Sequence, residues 1–148
     1  MKQKDKDLLL KDLCARLPYG VKIKTSYDKI DEPIELVFIN PRNESFAIGS
    51  NFTLTSGLSF DIYECKPYLI PLSSMTEEQL FEVQEILGRH EIEIEDGFLS
   101  IVDSDRNTIS YLEILALLEW FYKNHFDYRG LISMGLAIDA TNLNIYYQ

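Results

Sequence analysis

Apolar residues recur at helical spacing at both ends of this chain and at strand spacing between them, so the pattern divides the sequence before any motif is considered. From Lys6 to Leu17, the residues Leu10, Leu13, Cys14 and Leu17 lie three and four apart, which predicts a helix with one apolar stripe, capped by Asp5. Pro18 and Gly20 end it. From Val21 to about Phe60 the pattern changes to short β-rich runs, VKIKTSY, IELVFIN, SFAIGS and FTLTSGLSF, separated by Asp, Asn, Pro and Gly turn signals. Three or four antiparallel strands are expected. Connections this short cannot make parallel crossovers, so a meander or half-open barrel is the natural arrangement.

The second half carries sharper local signals. Thr76 with Gln79 forms a capping box, Met75 and Leu80 are placed as its hydrophobic staple, and Leu80, Val83 and Leu87 face inward up to a stop at Gly88. The run EIEIEDGFLSIV reads as a hairpin turning at Asp96-Gly97, with Ile94 opposite Leu99 and Ile92 opposite Ile101. Its other face sets Glu91, Glu93 and Glu95 against Val102, Ser100 and Phe98. A second capping box, Ser110 with Glu113, opens a helix reaching about Asn124, with Ile109 and Ile114 as staple. Tyr111, Ile114, Leu115, Leu118, Phe121 and Tyr122 fall on one side of it, and Leu117 and Trp120 lie towards the flank. So broad an apolar surface needs cover on more than one side. The helix is expected to pack on the sheet, with the tail from Phe126 to Ile138 folded back on its flank. The fold class is α+β: a small antiparallel sheet plus a hairpin, packed with three helices.

Composition narrows the class. At 148 residues, 46% hydrophobic and 26% charged, the chain fits one globular domain, and no Pro-rich, Gly-rich or Ser-rich linker divides it. The start, MKQKDKDLLLKDLC, lacks the apolar core of an export signal, and nothing approaches a membrane span. Cys14 and Cys65 have no paired spacing and suit a reducing compartment, so a cytoplasmic protein is expected. That placement silences the glycosylation patterns at Asn43 and Asn51. A net charge of -10, with only 14 scattered basic residues, argues against direct nucleic-acid contact; such a surface either faces a basic partner or, the favoured reading, simply keeps the protein soluble and monomeric.

Candidate chemistry is sparse. Asp103, Asp105, Asn107 and Glu113 nearly spell a calcium loop, but Thr108 stands where the sharp turn needs glycine and Glu113 comes one residue early. A polar connection to a capped helix explains the segment better. Glu91, Glu93 and Glu95 put three carboxylates on one strand face, which either protects a sheet edge or meets a basic partner. His90 and His125 are the only imidazoles and show no zinc spacing with Cys14 or Cys65. His125 is expected instead to finish the long helix beside its last carbonyls. Neither Ser73-Ser74 nor either cysteine sits in a nucleophile motif, and the glycines are dispersed. No metal or other cofactor is called for. The richest stretch, Trp120 to Ala140, contains Trp120, His125, Asp127, Tyr128 and Arg129, residue types favoured at interfaces. Asp127 beside Arg129 suits an ion pair that anchors the tail, or a recognition pair.

Three stretches, Lys11 to Lys24, Lys66 to Gln79 and Asn124 to Ala140, are together similar to a group of small proteins encoded by phages and prophage-like elements of anaerobic gut bacteria. The similarity covers both ends and the middle and leaves out much of Thr25 to Glu64 and Gly88 to Leu118. It implies a cytoplasmic, mobile-element setting and brings no activity, cofactor or catalytic residue. The function expected is a non-enzymatic accessory protein that binds another protein through the aromatic tail or the acidic strand face. The alternatives are an enzyme whose site is assembled in space from His125, Asp127, Tyr128 and Arg129, and an acidic mimic that blocks a nucleic-acid-binding protein.

Overall fold

The structure is a computed structural model that describes residues 1–26, 32–40, 42, 45–48, 60–88, 90–95, 98–102 and 109–146. The chain forms two compact units, one made of residues 1–69 with 131–148 and the other of residues 70–130. The fold is α+β.

In the first unit, α1 spans Gln3–Arg16, starting earlier than the apolar pattern predicts, and Lys2 at its N-cap makes no side-chain bond. Asp5 is therefore not the cap but a first-turn carboxylate, favourably placed near the unsatisfied N–H groups. The buried face is Leu9, Asp12, Leu13 and Arg16. Leu10 and Leu17 are only partly buried and Cys14 is exposed, so the stripe is turned from the expected one. The cause is a charged pair. Arg16 Nε donates to Asp12 Oδ2 at 2.7 Å with both side chains fully buried, so two polar letters occupy core positions.

A six-stranded sheet accompanies this helix: β1 (Lys22–Thr25), β2 (Ile34–Asn40), β3 (Ser45–Ile48), β4 (Phe60–Asp61), β5 (Cys65–Leu69) and β8 (Ile138–Asp139). Its order is β4-β3-β2-β1-β5-β8. All pairs are antiparallel except β5 with β8, which run parallel through Tyr68↔Ile138 and Leu69↔Asp139. That pair corrects the expectation of a wholly antiparallel sheet. Short connections exclude crossovers only up to β5, and between β5 and β8 lies the whole second unit, long enough for a parallel return. β5 itself goes unannounced in the sequence because Pro67 interrupts it. β8 reaches only Tyr68 and Leu69, leaving the outer edge open at Pro67, where a strand tolerates a missing N–H. In β2 the pairing with β3 shifts between Leu36 and Phe38. This bulge lets Leu36 and Ile39 both point inward although they are three residues apart. Most of the run FTLTSGLSF lies outside the described residues.

Leu9, Leu13, Val21, Ile23, Leu36, Ile39, Ile62 and Cys65 make the main core, and Leu69, Leu131, Leu136 and Ala137 a smaller cluster. Each large aliphatic side chain so buried contributes about 1.5–3 kcal/mol. Near the C-terminus, Tyr146 Oη donates to Tyr68 O at 2.7 Å and accepts from Lys22 N at 3.0 Å, joining β5 and the first residue of β1.

The second unit contains α2 (Glu77–Leu87), β6 (Glu91–Glu95), β7 (Phe98–Val102) and α3 (Tyr111–Lys123). Both expected capping boxes are formed, Thr76 with Gln79 and Ser110 with Glu113. The hairpin has the predicted register, Ile94↔Leu99 and Ile92↔Ile101, with Glu91, Glu93 and Glu95 opposite Val102, Ser100 and Phe98. Its turn at Asp96-Gly97 lies outside the described residues. α2 and α3 pack together in opposite directions. Trp120 Nε1 donates to Glu82 Oε2 at 2.8 Å, while Gly88 at the end of α2 lies beside Glu113 at the start of α3. Among the described residues, Ile70, Leu72, Val83, Leu87, Leu117, Phe121 and Phe126 are the buried apolar side chains of this unit.

Candidate functional site

Of the tail expected to fold on α3, the part up to Arg129 does so, whereas Leu131, Leu136 and Ala137 join a core cluster of the first unit with Leu69. Asn124 caps the helix, its Nδ2 donating to Trp120 O at 3.0 Å. The expected finishing role of His125 therefore belongs to its neighbour. His125 takes a left-handed backbone, φ 57°, and its carbonyl accepts from Ile70 N at 2.9 Å. Asp127 N then donates to Ile70 O at 2.8 Å, so a short parallel bridge between Ile70 and Phe126 pins the returning chain. His125, Phe126 and Asp127 are all buried.

Around this bridge the aromatic residues form one stacked group. Phe126 lies flat against Trp120 with centroids 5.3 Å apart, and Tyr128 stacks on Phe121 at 5.4 Å. The hydroxyls of Tyr122 and Tyr128 share a hydrogen bond of 2.6 Å, and Arg129 Nη2 donates to Tyr122 Oη at 2.8 Å. The Arg129 guanidinium also sits 5.0 Å from the Tyr128 ring centroid, close enough for cation–π attraction. The structure thus brings together Trp120, His125, Asp127, Tyr128 and Arg129, with two residues not singled out as site candidates, Tyr122 and Glu82. Chemically this is an anchor. The Tyr122 and Tyr128 hydroxyls and Arg129 Nη2 bond one another, and the rings of Phe126 and Tyr128 pack on Trp120 and Phe121 of α3.

The surface of the same unit is different in character. Residues 70–130 hold 13 acidic and 4 basic residues, a net -9, whereas the remainder of the chain holds 11 and 10. Glu93 and Glu95 are exposed on β6, and Glu77, Glu78, Glu82 and Glu85 are exposed on or along α2. Glu91 belongs to β6, but its side chain lies outside the described residues. Of the near-miss calcium ligands, Asp103, Asp105 and Asn107 also lie outside them. Glu113 is committed elsewhere, its Oε2 accepting from Ser110 N at 2.7 Å. That bond and the Ser110 hydroxyl hold its carboxyl below the usual glutamate range.

The same unit also carries bare apolar surface. Tyr111 and Leu112 are 72% and 76% exposed, and Ile114 and Leu115 are 41% and 43% exposed. The stripe expected to be covered is covered only towards its C-terminal end, by the tail residues on Phe121 and Tyr122. The periodicity of α3 could flag the stripe but not which half of it stays open.

In the first unit a cleft of about 370 Å³ is lined by Lys24, Thr25, Ser26, Glu64, Lys66 and Ile138. Lys24 and Lys66 are directly opposed across β1 and β5, and both are exposed. Among the described residues no group of three His, Cys, Asp or Glu side chains could hold a metal ion, and no helix is long and apolar enough to cross a membrane. The chain matches no protein-family model, no curated protein and no solved structure.

Proposed function

We propose that this chain is a non-enzymatic protein-binding module whose second unit, residues 70–130, engages a basic protein. The carrying observation is the segregation of charge, nearly all of the net -10 falling within that unit. A field of one sign steers an oppositely charged partner and raises its rate of encounter. Glu93 and Glu95 on the hairpin and the carboxylates of α2 supply that field, while the tightly bonded aromatic tail stiffens the helix pair behind it. The working surface is thus the acidic strand face and the helices, with Trp120, His125, Asp127, Tyr128 and Arg129 as its support. The similarity to phage and prophage proteins adds a cytoplasmic, mobile-element setting.

Affinity capture with the full chain from host extract tests this. A basic protein should be retained at low salt, released as salt shortens the screening length, and lost by the double charge reversal Glu93→Lys with Glu95→Lys. Capture indifferent to both salt and charge reversal would refute the proposal. Competition by DNA or RNA for the captured protein would narrow the role to that of an acidic mimic.

A further inference from the structure

The open half of α3 has the spacing of a helix-packing seam. Tyr111, Leu115, Leu118 and Tyr122 follow one another at intervals of four, three and four residues, the repeat by which one helix lays its apolar side along another. Tyr122 is already engaged by Tyr128 and Arg129, and Leu118 is half-buried. Tyr111, Leu112, Ile114 and Leu115 remain open over the first two turns. Four large apolar side chains within five residues form a contiguous patch of a kind that marks interaction sites. The first turn is also held rigid, since both bonds of the Ser110–Glu113 capping box are made. A partner meeting this face therefore meets a preorganised helix, which lowers the cost of binding.

We propose that the N-terminal half of α3 is the seam onto which a basic amphipathic helix of the partner packs, apolar side against Tyr111, Leu112, Ile114 and Leu115, its cationic flanks attracted by the net -9 of the unit. This rests on the protein-binding function proposed above and names the structure of the partner's contact. Charge selects the occupant. A second copy of this chain would bring a unit of net -9 against another of net -9, which repels, whereas a helix rich in Lys and Arg is attracted to the same ground.

The test uses the full chain and three synthetic peptides of about 18 residues, five turns when helical. The first carries Leu and Ile at helical spacing with Lys and Arg flanks, the second has the same apolar residues with Glu flanks, and the third scrambles the basic peptide. Fluorescence anisotropy should show binding of the first alone. Leu115→Asp should weaken that binding by about tenfold or more, the expected consequence of losing one buried leucine contact. Tyr111→Ser, at a still more exposed position, serves as a second variant and should weaken it too, with both variants melting as the parent does. Equal binding of the basic and scrambled peptides, or of parent and both variants, would overturn the proposal. So would sedimentation showing a dimer of the parent that Leu115→Asp dissociates, because the seam would then be occupied by another copy. If charge reversal at Glu93 and Glu95 abolishes capture of the basic partner while Leu115→Asp and Tyr111→Ser leave it intact, the seam fails and the binding function stands.

Discussion

Arg16, the bulkiest fully buried side chain among the described residues, lies against Asp12 one helical turn earlier, and neither side chain is reached by solvent. Both oxygens of the carboxylate are used, Oδ2 by Nε at 2.7 Å and Oδ1 by Nη2 at 3.3 Å. A pair like this is costly to break and cheap to replace. Asp12→Ala should destabilise the protein by about 3–5 kcal/mol, because it removes the carboxylate that Arg16 bonds in the core. The double change Asp12→Leu with Arg16→Met should cost much less than either single change. Urea unfolding midpoints of the three variants check this. Additive losses would show that the two side chains act independently.

Tyr146 joins strands that are far apart in sequence, and its protonation state matters to that joint. Burial pushes its phenol well above the usual tyrosine value, although the bond from Lys22 N favours the ionised form and works the other way. A folded-state value above the unfolded one means that the unfolded chain gives up its proton first as pH rises. The stabilisation is therefore complete below about pH 10 and is lost progressively above it. Tyr146→Phe should be less stable at neutral pH by about 1 kcal/mol or somewhat more, since it leaves Tyr68 O without its donor. It should also lose part of the alkaline sensitivity. Denaturant melts between pH 8 and 11 would reveal a parallel decline in both proteins if this phenol contributes nothing.

What the sequence disclosed follows the range of the interactions. Both capping boxes and the hairpin register were legible because each is closed within a few residues: Thr76 and Gln79, Ser110 and Glu113, and Ile94 and Leu99 across a tight turn. α1 was misjudged because its core face carries Asp12 and Arg16, polar letters that qualify for burial only as a pair. β5 was missed because Pro67 conceals it, and β8 because two residues have no periodicity. Trp120, Tyr128 and Arg129 stood out by type. Glu82 and the hydroxyl of Tyr122 became visible as partners only when the tail was folded back. Likewise the spacing of α3 showed an apolar stripe, but whether Tyr111 and Leu115 are covered depends on the rest of the fold.

The two capping boxes give a matched comparison. Thr76→Ala and Ser110→Ala each remove an acceptor for an otherwise orphaned helix N–H and should each cost about 1 kcal/mol, measured by thermal or urea unfolding. They should differ in pH response. The second half of the first box is Gln79, which does not ionise, whereas the second box uses Glu113, held below its usual value by its bonds to Ser110. A lowered folded-state value means that this contribution is present above about pH 4.5 and fades as pH falls through the folded value. Glu113→Gln should therefore flatten the acid limb of the stability profile below about pH 4.5. An unaltered acid limb would show that Glu113 makes no such contribution.

The two thiols should report on the first unit. Cys65 is buried in the core, its Sγ donating to Ile62 O at 3.0 Å, and burial, aided by the nearby Asp61, pushes it up to about 12. Cys14 lies on the exposed side of α1, its thiol raised less severely by partial burial. Because the thiolate is the reacting species, a disulfide reagent at about pH 8 should modify Cys14 at a measurable rate and leave Cys65 untouched in the native protein. Labelling of Cys65 should then require opening of the core, so in graded urea its rate should climb with the unfolded fraction, while Cys14 changes little. Stopped-flow thiol counting on the parent and on Cys14→Ser separates the two. Rapid native labelling of the Cys14→Ser protein would mean that Cys65 is open to solvent and that β5 packs only loosely against α1 and β1.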